Sequence, residues 1–154
     1  MPVIRTFLPG DDEVVQIGPI RIRILEDGTE TDHRISMAEI TVPPKTDGPP
    51  QHWHARHDEG FYIVSGQARF TVGDDHHDAP AGTLVMVPPR ASHTFSNSGD
   101  TPCVILNTFT PDFYIGYLRE LGQLMQPGGA LDEGLILEVM ARYETYPAGS
   151  HPTS

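Results

Sequence analysis

The chain has 154 residues, 10 of them Lys or Arg and 21 Asp or Glu, for a formal net charge of −11. That length suits one domain with one buried core, and the negative charge repels phosphate backbones and anionic lipid faces, so neither nucleic acid nor membrane is an expected partner. The single cysteine, Cys103, excludes an intrachain disulfide and, within Cys103-Val104-Ile105-Leu106, reads as a small core residue.

Met1 to Gly10 lacks a basic segment followed by an apolar run, and no stretch reaches the roughly 18–20 apolar residues of a membrane helix, so the expected compartment is the cytoplasm. Residues 20–26 alternate Ile20, Ile22 and Ile24 with Arg21 and Arg23, a strand with one buried face. Asp27-Gly28 turns the chain into a second strand over 33–42. Pro43, Pro44, Pro49 and Pro50 then interrupt ladder pairing in the loop 43–50. Apolar runs at 61–64, 68–72, 83–87 and 103–109 are each bounded by Gly, Pro, Asp or Ser, which describes a meander of short strands closing into a sandwich or barrel. The barrel core is expected over about 14–110 of a single domain spanning 1–154.

From Tyr114 the period changes. Tyr117, Leu118, Leu121 and Leu124 fall at three- and four-residue steps, which predicts a helix over about 111–126 with Pro111 in its first turn and Gly128-Gly129 ending the connection after it. Asp132 is placed to cap a second helix over about 132–144, with Leu135, Ile136, Val139, Met140 and Tyr143 on its apolar face. Packing on the barrel wall is the plain reading of both helices; a lid or a dimer contact is the sharper one.

Histidine placement carries the chemistry. His52-Trp53-His54 lies in an extended segment, and a strand sends residues two apart to the same face. Glu59, Phe61 and Ile63 share a face further on, so a bend near Ala55–Asp58 is needed to bring Glu59 to the side of His54. His93, Phe95 and Asn97 share another strand face. If the strands of His54 and His93 are neighbours, three imidazoles and one carboxylate converge. Three neutral nitrogens with one anionic oxygen suit a borderline divalent ion and leave coordination positions open, whereas structural zinc more often uses cysteines. Gln51 and backbone carbonyls are the candidates to receive the other ring N–H groups.

The remaining histidines carry less. His57, in the bend, reads as a surface residue; His76 and His77 read as a solvated hairpin tip; His33 and His151 carry no signal. Asn97 is expected to fix a turn, and Trp53 to point away from the two histidines.

His52-x-His54-x4-Glu59-x6-Gly66 and Gly82-x5-Pro88-x-Arg90-x2-His93-x3-Asn97 resemble the two cupin motifs, over residues 48–97. Gly48 stands closer to the first histidine pair than the usual motif glycine, and Arg90 replaces a turn glycine, a position where positive φ favours glycine. The resemblance implies an all-β, single cupin jelly-roll β-barrel with two short C-terminal helices. It also implies one divalent transition metal (Fe, Mn, Ni, Co, Cu or Zn) on His52, His54, Glu59 and His93. The expected substrate pocket is apolar and partly aromatic (Phe61, Ile63, Phe70, Met86 and Phe95), fit for a flat phenolic molecule. The single cupin with C-terminal helices after Thr108–Pro111, and Pro49 to Tyr62, resemble bacterial quercetinase-like monocupins. That resemblance implies a dioxygenase opening a flavonol-like or other enolic ring with O2, Glu59 being both ligand and general base. A non-oxidative polyketide cyclase or isomerase, and a ligand-binding cupin without turnover, are the alternatives. A homodimer is expected, because such barrels expose sheet edges and apolar outer faces.

Overall fold

The computed structural model describes residues 1–10, 12–126 and 132–151. In chain order the strands are β1 (Glu13–Ile17), β2 (Ile20–Glu26), β3 (Ser36–Val42), β4 (Thr46–Asp47), β5 (His52–His54), β6 (Asp58–Ser65), β7 (Gln67–Val72), β8 (Asp75–Pro80), β9 (Leu84–Val87), β10 (Thr94–Asn97) and β11 (Cys103–Thr110). Helices α1 (Ile115–Leu124) and α2 (Glu133–Arg142) follow, then strand β12 (Thr145–Pro147).

One six-stranded sheet has the order β1-β2-β3-β11-β6-β9, a second has β4-β10-β7-β8, and β12 pairs with β5. Reciprocal backbone bonds between His52 and His93, at 3.1 and 2.9 Å, tie β5 to the lead-in of β10. The result is a jelly roll of two facing sheets. The expected barrel is not closed by strand pairing among the described residues, because the prolines around β4 leave that strand two residues long.

Alternation explains the core. Ile20, Ile22 and Ile24 of β2 and Ala38, Ile40 and Val42 of β3 face inward, as do Phe61 and Ile63 of β6 and Cys103, Ile105 and Phe109 of β11. Ala68, Phe70, Ala79 and Phe95 meet them from the second sheet. Each of the larger side chains contributes roughly 1.5–3 kcal/mol through burial. Cys103 is a buried free thiol in this layer. Gly48 passes so close to β10 that a Cβ there would collide with the Phe95 carbonyl, which accounts for glycine at that point of the loop.

His76 and His77 lie within β8 rather than at a hairpin tip, because the turn is made one step earlier, at Gly73–Asp74. Both are exposed, and His76 Nδ1 lies 2.9 Å from Thr71 Oγ1 across the ladder. Helix α1 starts four residues beyond Pro111. The Asp112 N–H is committed to the His33 carbonyl at 3.0 Å, and the helical pattern begins with Leu118 N–H to the Tyr114 carbonyl at 3.1 Å. Asp132 caps α2 by accepting from Leu135 N–H at 3.2 Å. Val139 of its apolar face is buried, whereas Leu135 faces solvent. The Gly128-Gly129 stop lies outside the described residues. Among the described residues no helix is long and apolar enough to cross a membrane.

The chain after α2 turns back to the sheets. Strand β12 runs antiparallel to β5, with Thr145 opposite His54, Tyr146 opposite Trp53 and Pro147 opposite His52. The Trp53 and Tyr146 rings pack at 4.6 Å on the outer side. Across the other flank of β5, Arg90 N–H donates to the His54 carbonyl at 2.7 Å.

Arg90 holds this bond at φ +70°, so the motif turn keeps the left-handed backbone that glycine usually supplies. A side chain in that region costs about 1–2 kcal/mol. Arg90 is exposed and its side chain is not needed for the bond. Arg90→Gly is therefore expected to raise the unfolding free energy by about 0.5–1 kcal/mol in urea titrations, since the strain relieved exceeds the entropy lost.

Candidate metal centre

His52 and His54 project from β5 to the same side, as their two-residue spacing requires, and the bend at 55–57 re-aims β6 so that Glu59 joins them. His93 reaches the same point from the residue before β10. The three rings stand 4.7 to 5.3 Å apart, centroid to centroid. One ligand atom from each of His52, His54 and His93 lies within 4.8 Å of the others. All three, and Glu59, are buried.

Each imidazole is turned by its outer nitrogen. His52 Nδ1–H donates to the Pro50 carbonyl and His93 Nδ1–H to the Ala91 carbonyl, both at 2.9 Å. A carbonyl can only accept, so the proton sits on Nδ1 in both rings. His54 Nδ1–H donates at 2.9 Å to Thr145 Oγ1, whose own hydroxyl donates to the Tyr143 carbonyl at 3.2 Å. The receivers are thus two backbone carbonyls and a threonine. Gln51 is not among them, because its amide spans to Gly73 instead.

With Nδ1 protonated, each Nε2 turns a lone pair inward. Glu59 Oε2 lies 3.0 Å from His93 Nε2 and 3.1 Å from His54 Nε2, and His54 Nε2 has no aligned hydrogen bond. Asn107 Nδ2–H donates to Glu59 Oε1 at 3.2 Å and to the Gly60 carbonyl at 2.9 Å, fixing the carboxylate. Acceptors therefore crowd together here, His52, His54 and His93 in one group and His54, His57 and Glu59 in another, an arrangement that needs a cation or protons. Burial pulls His52 down to about 4, with the neighbouring His54 and His93 adding to the effect. Burial also opposes ionisation of Glu59 and His93, but His54 and His93 together outweigh it at Glu59, holding it well below the usual carboxylate range, and Glu59 outweighs it at His93, holding it above the usual imidazole. A proton shared by that pair satisfies the cluster in the metal-free chain; a divalent cation would replace it. The donor set fits a metal.

Three further groups surround the cluster. His57 is buried, not at the surface as its place in the bend suggests, because its ring stacks on His54 at 4.4 Å and meets Phe109 edge-on. Its Nε2 has no partner, and burial together with His54 lowers its pKa to about 4. The buried Tyr114 ring packs against His54 at 4.6 Å. Of the expected pocket, Phe61, Phe70 and Phe95 pack on one another at 5.0 to 6.4 Å behind His93, and Ile63 is fully buried beside them. These side chains fill the space between the sheets. Met86 is not a pocket residue: it lies opposite Gly60, on the outer face of β9, and is 58% exposed. Asn97 anchors a turn through the Val42 and Thr101 carbonyls, as expected.

The profile of the Cupin domain family matches residues 38–109. That segment holds all four candidate ligands, so this part of the chain is similar to a cupin domain. Its sequence is similar to oxalate decarboxylase OxdC of Bacillus subtilis (strain 168), 38% identical over 85 residues that make up 52% of this chain and 22% of that protein. An uncharacterised protein of Methanocaldococcus jannaschii is 30% identical over 80 residues, 51% of this chain and 62% of that one. The chain thus covers less than two thirds of either relative. The solved oxalate decarboxylase superposes with a TM-score of 0.56 at 29% identity, over 65% of this chain and 28% of that one. KdgF from Halomonas sp. is similar in fold, with a TM-score of 0.61 at 16% identity, over 70% and 94% of the two chains.

Four residues around the ligands escape the motif reading. Asn107 leaves a trace, a polar residue on the inward face of β11 between Ile105 and Phe109. His57, Tyr114 and Thr145 leave none, since their position depends on a bend and on the return of β12.

Outer-shell partners of ligand histidines typically change metal affinity about 10–100-fold. Thr145→Val is expected to weaken metal binding within that range in chelator competition, and Thr145→Ser to restore it. The metal-free protein should also lose stability on acidification. Between about pH 6.5 and 4 the unfolded chain takes protons that His52 and His57 refuse in the fold, costing up to about 1.4 kcal/mol per pH unit for each. His57→Phe should lower the slope of unfolding free energy against pH by about one proton.

Proposed function

We propose that this cupin is a metal-dependent enzyme acting on a small enolic or phenolic molecule, with the dioxygenase chemistry of quercetinase-like monocupins as its reaction. The observation that carries this reading is the outward commitment of all three Nδ1 groups, which leaves three Nε2 lone pairs and the Glu59 carboxylate converging. Such a set is expensive to bury unless it serves a cation. His52, His54, Glu59 and His93 would hold the ion. When bound, a redox-active metal supplies an open acidic position for a deprotonated substrate oxygen and an electron route to O2.

The rest of the chemistry belongs to side chains. Glu59 is held anionic, and a carboxylate this weakly basic would take a proton only from a hydroxyl acidified by the bound metal, while Asn107 donates to its Oε1. Tyr114 and His57 cover the cluster and keep bulk water from it. Two arginines near the His57 bend are already paired, Arg56 with Glu144 and Arg142 with Glu120, each at 2.7 Å. That favours an uncharged phenolic or enolic ligand over a phosphorylated one.

The similarity to oxalate decarboxylase supports a second reading, a reaction without oxygen uptake in which the metal only polarises a carbonyl or carboxylate. Oxygen-electrode assays with flavonols separate the two. The dioxygenase reading predicts one O2 consumed per substrate lost, and a fall in kcat of about 10²–10⁴ in Glu59→Gln. Turnover without oxygen consumption would contradict it.

A further inference from the structure

His57 stands outside the motif positions that supply the other donors, yet it is among the most deeply buried side chains, 2% exposed. One of its ring nitrogens, one of His54 and a carboxylate oxygen of Glu59 all lie within 4.8 Å of one another. The Nε2 atoms of both imidazoles are sealed from solvent and have no hydrogen-bond partner. Stacking on His54, at 4.4 Å and 29°, does not account for a histidine at this point. A phenylalanine would stack as well, without the about 1–3 kcal/mol that an unpaired buried polar atom costs.

Two imidazoles and one carboxylate are a sufficient donor set in themselves, one that holds divalent iron or zinc with coordination positions left open. Such ions take their donors at about 2.0–2.2 Å, so modest rotations of the rings and the carboxylate separate this group from coordination. We propose that His57 is a metal ligand, and that His54, His57 and Glu59 form a second seat for a divalent ion beside the one centred on His52, His54 and His93. His54 Nε2 has a single lone pair and serves one ion at a time, so the two seats are alternatives. Three nitrogens hold the ion in the first; two nitrogens and an oxygen hold it in the second. Thr145 orients the shared His54 for both. The second seat rests on the metal-centre reading above, through His54 and Glu59, and is independent of which reaction the centre performs.

Zinc is the probe, because it is diamagnetic and accepts both donor sets. Affinity is read by chelator competition, and ligation by the ¹⁵N resonances of the histidine rings, which move when a nitrogen gains a metal bond. His52→Phe removes a donor of the first seat while keeping a ring against His54 and His93, 4.8 and 4.7 Å away. Amide spectra verify that it folds, and His93→Phe takes its place if it does not. The folded variant should still bind about one zinc per chain, with the His57 Nε2 resonance shifted. Adding His57→Phe should then cost more than the about 10–100-fold of a residue that only supports a ligand. In the wild-type background the same change should cost about tenfold or less, since the first seat remains. A His57 Nε2 resonance that zinc leaves in place in His52→Phe, or equal losses from His57→Phe in both backgrounds, would overturn the second seat. Zinc bound by the wild type but not by the folded variant would overturn it too, and leave the four-ligand centre standing. No zinc in the wild type would contradict both.

Discussion

Three imidazoles in this protein are oriented by what their outer nitrogens donate to. Two backbone carbonyls and one threonine hydroxyl each take an Nδ1–H, so the inner nitrogens have no choice but to present lone pairs to one another and to Glu59. Such a convergence is unfavourable in a protein interior unless a cation or shared proton fills it. Much of the local architecture serves that arrangement. His52 and His93 are bridged backbone to backbone, Arg90 accepts a left-handed conformation to bond the His54 carbonyl, and β12 returns from the end of the chain to set Thr145 against His54.

The parts legible in the sequence are those governed by short-range periodicity. Alternation of Ile20, Ile22 and Ile24 places β2 correctly, and the two-residue spacing of His52 and His54 puts both rings on one side. The need for a bend before Glu59 follows from parity alone, and the bend lies at 55–57. What escaped depends on contacts distant in sequence. Residues as close as His57 are buried only because the bend stacks that ring on His54, and Thr145 enters because the chain turns back 91 residues later. Met86 shows the opposite error. Its apolar character suggested a pocket, but the β6–β9 register sets it opposite Gly60 on the outer face. Barrel closure was likewise a matter of strand length, which the prolines beside β4 limit.

The region matched by the Cupin domain family ends at residue 109, just before the elements that shape the surroundings of the centre. Asp112, Phe113 and Tyr114 follow it directly, and Thr145 comes later still. The ligand cluster therefore lies within the matched segment, while the covering Tyr114 and the Thr145 that holds His54 lie beyond it. In a fold that hosts many chemistries, this is where a substrate would be distinguished.

The most direct test of the central claim is the metal content of protein purified without chelator, measured by elemental analysis beside His54→Ala, with circular dichroism to verify that the variant folds. Convergent Nε2 lone pairs with Glu59 predict about one divalent transition metal per chain, lost in the folded variant. Equally low metal in both proteins, with the native fold intact, would show that the cluster is satisfied by protons alone and would contradict the account.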